Sequence, residues 1–228
     1  MSTSQPPRPG PPPASISTIQ VPPTLSRFDI PARQYLSRHN SPWDGVAVGA
    51  LVFCPSPEST DSVLLIQRAA ADSLPNKWEI PSGVVSNDPA KDATITNAVA
   101  RELWEEAGLT ATAIKRLVTP PREEEGFVFS NSTNTKVFCR FVFEVELEVE
   151  KWESVRGRVK LNPVEHQRFV WAPEDAVRKM LADKAVFHGG KEEMLELTSR
   201  HLGELILEAF RLRKEDKEKR REDREKKA

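Results

Sequence analysis

Apolar positions along the chain change their period several times, and each change marks an element. Val46, Val48, Leu51, Val52 and Phe53 form a strand-like run that begins near Asp44 and stops at the Pro55-Ser56-Pro57 breaker. The run from Ser62 to Arg68, with Val63, Leu64, Leu65 and Ile66 at its centre, predicts the hairpin partner. Trp78-Glu79-Ile80-Pro81-Ser82-Gly83 predicts a short strand entering a tight turn, in which Pro81 fixes one dihedral and Gly83 permits the positive one. From about Thr94 to Ala107 the period lengthens: Ile95, Val99, Leu103 and Ala107 recur every fourth residue, which predicts a helix with Gly108 as its stop. Ala113 to Val118 and Lys136 to Val149 return to strand, Phe169-Val170-Trp171 predicts a last short one, and Pro173 opens a helix through Leu181. Strands, a helix, more strands and further helices imply an α/β or α+β sandwich layered around a mixed sheet.

The flanks follow other rules. Eight of the nineteen prolines fall before Thr24, among Ser, Thr and Gln, so residues 1 to about 42 are expected to form a disordered or polyproline-like arm. A proline-rich ligand for a partner domain is the second reading of that arm. From about Lys191 the chain is expected to be helical throughout, with Leu195, Leu202, Leu205, Ala209 and Leu212 at alternating three and four spacing and Thr198 in the remaining slot. The seam is too short for a coiled coil, so packing on the parent domain is expected first and a homodimer contact second. From Arg211 onward, ten basic and six acidic residues give +4, which leaves −5 on the rest of a chain whose total is −1. A solvated helix extension is the expectation there, with anion or nuclear-import contacts as the alternative. The division is thus an arm over 1–42, a folded domain over 43–190 and a C-terminal helix with a charged tail over 191–228.

Composition narrows the partners. A chain of 228 residues with 38% hydrophobic content suits one sizeable core plus tails. Its near-zero net charge argues against a dedicated nucleic-acid binder and favours a small-molecule partner. Cys54 and Cys139 lie in apolar runs with no ligand spacing, which predicts buried free thiols. No apolar run approaches the ~20 residues of a membrane helix, and no hydrophobic leader opens the chain. A soluble, cytoplasmic protein is expected, with a nuclear placement left open.

Chemistry concentrates on the first helix. Glu102, Glu105 and Glu106 stand at i, i+3 and i+4, which puts three carboxylates on one face. Like charges at that spacing repel by roughly 0.2–0.5 kcal/mol per pair, and acids in the last turn oppose the helix dipole. Such a cluster of oxygens suits a hard divalent cation such as Mg2+ or Mn2+. The competing explanation is a solvated face tied by the Arg101 to Glu105 pair.

The string Arg101-Glu102-Leu103-Trp104-Glu105-Glu106-Ala107-Gly108-Leu109 resembles the second half of the Nudix box at every prescribed position. WEIPSG is similar to the strand and turn that lead into the box, and IQRAAADSLPNKWEIP to the arginine-bearing segment of Nudix enzymes acting on nucleoside triphosphates. The resemblance spans roughly residues 44 to 182. It implies a Nudix α/β/α sandwich and metal-dependent hydrolysis of a pyrophosphate bond in a nucleoside diphosphate-linked or nucleoside triphosphate substrate. Carried over by position, Glu105 and Glu106 are the principal metal ligands and Glu102 a ligand or general base, with Arg101 orienting it. Glu165 is the further ligand or base expected from a later loop, with Glu123, Glu124 and Glu125 as competitors. Ser82 stands where the family has its first Gly, a position that ligates metal through its carbonyl. Arg68 and Gly83 are the candidate substrate contacts, Arg68 on a phosphate unless it is an ordinary strand-end arginine.

The first half of the box departs from the pattern. The Gly83 to Arg101 gap is four residues too long, and Ala93 occupies the glutamate position, with Asp92 beside it. Asp92 is expected to cap the helix and partly replace the missing Glu. Ala93, Ser82 and the long loop also motivate a rival function, a Nudix-fold nucleotide-binding or regulatory module without turnover. A scaffold acting through arm and tail could accompany either. Trp78, Phe127, Phe129 and Trp152 are aromatic residues able to stack a base or fill the core. His39, His166, His188 and His201 show no metal spacing.

Overall fold

The computed structural model describes residues 19–55, 61–120, 126–147, 155 and 157–226. Strand β1 (Gly45–Pro55) is its axis: it pairs in parallel with β7 (Val137–Leu147), and antiparallel with β2 (Asp61–Arg68) at one end and β4 (Ser82–Val84) near the other. The short β3 (Trp78–Glu79) and β8 (His166–Pro173) both pair with β2, while β5 (Ala111–Val118) and β6 (Phe127–Ser130) pair with β7. The result is a mixed sheet with helices on both faces, the α/β sandwich expected from the pattern.

The apolar runs are nearly continuous because both faces of the sheet are covered. Val46, Val48, Ala50 and Val52 of β1 point into one core layer, with helix α2 (Ile95–Ala107), whereas Leu51 and Phe53 point into the other. In that second layer they meet α3 (Glu174–Leu181) and the apolar side of α4 (Arg200–Glu225). Cys54 and Cys139 are buried as expected, with no disulfide between them, and burial pushes the Cys139 thiol up to about 12. Among the described residues no helix is long and apolar enough to cross a membrane.

Two flank expectations are corrected. Residues 19–42 are ordered, not a solvated arm: a 3-10 turn (Pro23–Phe28) and α1 (Ala32–Arg38) lie across the first core layer. Pro22 and Pro23 cause no conflict, because a helix start needs no amide there. The apolar residues scattered among the prolines do the packing: Phe28 is fully buried, its ring 4.9 Å from Phe141, 5.2 Å from Phe143 and 5.4 Å from Tyr35. The strap also meets the first turn of α2, where Ile95 N–H donates to Ile30 O at 3.0 Å and Thr96 Oγ1 to Asp29 Oδ1 at 2.9 Å. Gln20 continues outward onto β5, donating to Thr112 O and accepting from Ile114 N–H. Residues 1–18 lie outside the described residues.

The stretch from Lys191 is not helical throughout. A hairpin of β9 (Val186–His188) and β10 (Lys191–Glu193) turns at Gly189 and Gly190, both at positive φ, and Leu195 and Leu197 then drop into the core at a two-residue interval. The helix begins only at Arg200, where Ser199 accepts from Leu202 N–H at 3.1 Å. Leu202, Leu205 and Ala209 of the expected seam are buried in this chain's own core. Further along, Arg213 joins Glu144 and Asp61, and Asp216 joins Lys115 and Arg116, fastening α4 to the sheet.

Because the strap supplies a wall of the core, Phe28→Ala is expected to cost ~3–5 kcal/mol of unfolding free energy in a denaturant titration. A loss within ~0.5 kcal/mol, the size of a surface substitution, would show that the strap is dispensable.

Candidate active site

Helix α2 presents its acids beside β4, and one arginine organises the approach. Arg101 is buried, and its guanidinium holds Asp92 through two bonds, Nε to Oδ1 at 2.6 Å and Nη2 to Oδ2 at 2.8 Å. Its Nη1 faces Glu102 at 2.7 Å and Glu105 at 2.8 Å, and Nη2 also reaches Val84 O at 3.3 Å. Burial pulls the Arg101 pKa down, but Asp92, Glu102 and Glu105 outweigh it and raise it overall.

Asp92 is thus the partner of Arg101 and not, as expected, the helix cap. Thr94 caps α2, accepting from Asn97 N–H at 3.1 Å, while Asp92 accepts from Ser86 N–H at 2.6 Å. The extra loop residues close on themselves through Ala90 N–H to Asp88 Oδ1 at 2.9 Å and Asp92 N–H to Asp88 O at 2.9 Å. At the far end Gly108 stops the helix in the left-handed region, φ 66°, as expected.

Gly83 is needed for a different reason than a turn. It lies in β4 and is not among the positive-φ glycines; instead, a β-carbon there would lie 2.3–2.6 Å from the carboxylate of Glu102. The missing side chain is the space that Glu102 occupies. Burial chiefly raises the Glu102 pKa, with Arg101 opposing it.

Glu106 is the buried acid of the trio. Its Oε2 accepts from Ser82 N–H at 2.8 Å, so the serine backbone does the positioning. Burial first, then the charges of Glu102 and Glu79, push its pKa well above the carboxylate range, with the Ser82 bond opposing. Ligand atoms of Glu106, Glu165 and His166 lie within 4.8 Å of one another. Glu165 is exposed and accepts from Asn162 Nδ2 at 3.0 Å, while Asn162 N–H donates to Glu106 O at 3.3 Å, so one loop fixes both acids. The expectation that the three helix acids converge on one point is modified: Glu102 and Glu105 turn toward Arg101, and Glu106 turns toward the later loop. Oxygen ligands from two elements with one imidazole fit a divalent cation, and a buried acid among other acids needs a positive charge to ionise.

Two residues escaped the sequence reading. Glu79, buried between Trp78 and Ile80, accepts from Arg68 Nη1 at 2.6 Å and lies 3.1 Å from His166 Nε2. His166 belongs to the candidate ligand group despite lacking any metal spacing in sequence, and its Nδ1 is buried without a hydrogen bond. An acid inside an otherwise apolar strand was the available signal for Glu79; the match of His166 with Glu106 is made only by the fold. Arg68 is held by Glu79 and Asp72. Trp78 is core beneath Arg168. Glu123, Glu124, Glu125 and Trp152 lie outside the described residues.

Two hollows flank these acids. One, of about 560 Å3, is walled by Arg68, Glu79, Ser82, Gly83, Phe127 and Arg140. The other, of about 830 Å3, is walled by Lys160, His166, Arg168 and Phe169.

The NUDIX domain sequence model matches residues 44–193, and the chain belongs to this family. Its class is the Nudix-type pyrophosphohydrolases, enzymes acting on acid anhydrides. The chain is 28% identical over 126 residues to the CTP pyrophosphohydrolase of Escherichia coli K12, covering 55% of this chain and 77% of that one. Among solved structures it is similar to the MutT protein of Methanosarcina mazei Go1, at 22% identity and a TM-score of 0.46 over 75% of this chain and 94% of that one. It is also similar to an Ap4A hydrolase of C. elegans, at 24% identity and a TM-score of 0.40 over 59% of this chain and 84% of that one.

The crowded acids make a stability prediction with a definite sign. A carboxyl whose folded pKa lies above its unfolded value (about 4.3 for Glu) binds its proton more tightly in the native state, so stability falls as pH rises between the two. Glu106→Gln removes that loss while keeping an acceptor for Ser82 N–H. In metal-free protein it is expected to raise the melting temperature at pH 7–8 by about 2–4 °C, roughly 1 kcal/mol, with the gain vanishing near pH 4. Equal melting curves at both pH values would refute the crowding.

Proposed function

We propose that this protein hydrolyses a pyrophosphate bond in a nucleoside triphosphate or nucleoside diphosphate-linked substrate, with Mg2+ or Mn2+ bound among the acids of α2 and the loop before β8. The observation that carries this reading is Glu106: a buried carboxylate, locked by Ser82, surrounded by Glu79, Glu102 and Glu165. The CTP pyrophosphohydrolase of Escherichia coli supports the substrate class.

Glu106, Glu165 and His166 would hold the cation, with Glu102 and Glu105 beside them. A divalent ion bound there would neutralise diphosphate charge and make a water easier to deprotonate for attack on phosphorus. Glu102 is the candidate to take that water's proton, because burial makes its carboxylate a stronger base than a surface Glu. Arg101 orients Glu102 and Glu105 and is a positioning residue. Arg68, held by two acids at the cleft wall, presents its remaining face to the substrate. The basis for a fold without turnover weakens, since Asp92 supplies the partner that Arg101 requires.

The test is pyrophosphate or phosphate release over a panel of nucleotides with Mg2+ or Mn2+. Wild type is expected to turn over at least one, and Glu105→Gln to lower kcat/KM by ~10^2–10^3-fold. Gly83→Ala is expected to fold and yet lose ~10–100-fold in turnover, because its methyl displaces Glu102. Folded wild type without metal-dependent turnover of any nucleotide would establish the binding module instead.

A further inference from the structure

The cleft beside Gly83 extends past Ser82 and Glu79 to Phe127, Phe129 and Arg140. Across its floor run β6, β7, β1 and β4, with Phe127 opposite Arg140, Arg140 opposite Ala47 and Ala47 opposite Val84. Two strand spacings, ~10 Å, therefore separate Arg140 from the Ser82-Gly83 segment that meets the acids. That is about the length from a nucleotide's reactive phosphate to its base.

Arg140 is oddly placed for a structural arginine. Its guanidinium sits 5.1 Å from the Phe129 ring centroid and 6.0 Å from that of Phe127. Among the described residues no carboxylate pairs with it. Glu79, which favours its charge, is already engaged by Arg68 and His166. Burial lowers its pKa, and Arg68 adds repulsion. A guanidinium in that setting keeps its charge and wants acceptors.

The surroundings suit a flat, partly apolar guest. Phe127 and Phe129 lie nearly parallel, 9° between planes, and both line the cleft half-buried. Each ring is backed: Phe127 by His201 of α4 at 4.3 Å, Phe129 by Phe138 at 5.7 Å. Thr198 and Ser199, just before α4, line the same cleft.

We infer that Arg140, with Phe127 and Phe129, forms a base-reading subsite that favours a nucleobase whose edge offers two adjacent acceptors. The inference rests on the nucleotide reading given above. Cytosine offers N3 and O2, and guanine offers O6 and N7, to a two-nitrogen fork; adenine and uracil interrupt their acceptors with a donor. Arg140 is thus a specificity-determining residue, and phosphate binding is left to the acid end of the cleft.

Equilibrium binding of the non-hydrolysable α,β-methylene analogues of CTP, GTP, ATP and UTP, with Mg2+, tests this without chemistry. Wild type is expected to bind the cytosine analogue, the guanine analogue or both about 10- to 100-fold more tightly than the adenine and uracil analogues. Arg140→Lys keeps charge and stem but loses the fork, and is expected to erase that preference by weakening only the favoured bases. Arg140→Leu, checked for folding by its melting curve, is expected to do the same. Equal weakening of all four analogues and of inorganic pyrophosphate would make Arg140 a phosphate contact and overturn the inference; so would unchanged affinities, or a wild type that binds all four alike or none. Hydrolysis of the parent nucleotides separates the two readings. Turnover with flat base preference sinks the subsite alone, and base-selective binding without turnover sinks the hydrolase alone.

Discussion

The buried guanidinium of Arg101 is the interaction on which the site depends. One planar group grips the end of the long loop through Asp92, touches β4 through Val84, and faces two acids of its own helix. Removing a partner from such a group would leave an unpaired buried charge, a far larger penalty than losing a surface ion pair. The loop, the strand and the helix are consequently held to one geometry by a single side chain.

Around that fixed point the acids are arranged at a cost to the apoprotein. Burial raises the affinity of Glu102 and Glu106 for protons, and the charges of Glu102 and Glu79 add to the effect on Glu106. A chain shaped for stability alone would place a base or an apolar residue at one of these positions. The cost is local, and the surrounding layers offset it: both faces of the sheet are covered, and α2 is pinned at its first turn by the strap and at its last by the loop that carries Glu165.

How much was legible in the sequence depended on whether the signal was local. Strands β1, β2, β5 and β7 follow from their apolar runs and helix α2 from its four-residue period, and Gly108 marks the helix stop through its own φ. Glu102, Glu105 and Glu106 were visible from helical spacing, whereas His166 was not, since its nearness to Glu106 arises from a loop folded back on the helix end. Gly83 was explained by the wrong physics: backbone torsion was assumed where volume decides. The strap was misjudged because prolines dominate its average composition, while its packing comes from a few residues such as Phe28 and Tyr35.

Gln20 has a consequence for how the chain behaves among its own copies. It lies along β5, at the margin of the sheet, and occupies amide and carbonyl groups that another strand could otherwise capture. A fragment trimmed to the family-matched span of 44–193 would bare that margin and shed the cover over the adjoining apolar face. Such an edge is a template for strand addition, so the first symptom of that trimming would be self-association and poor solubility, before any change in chemistry.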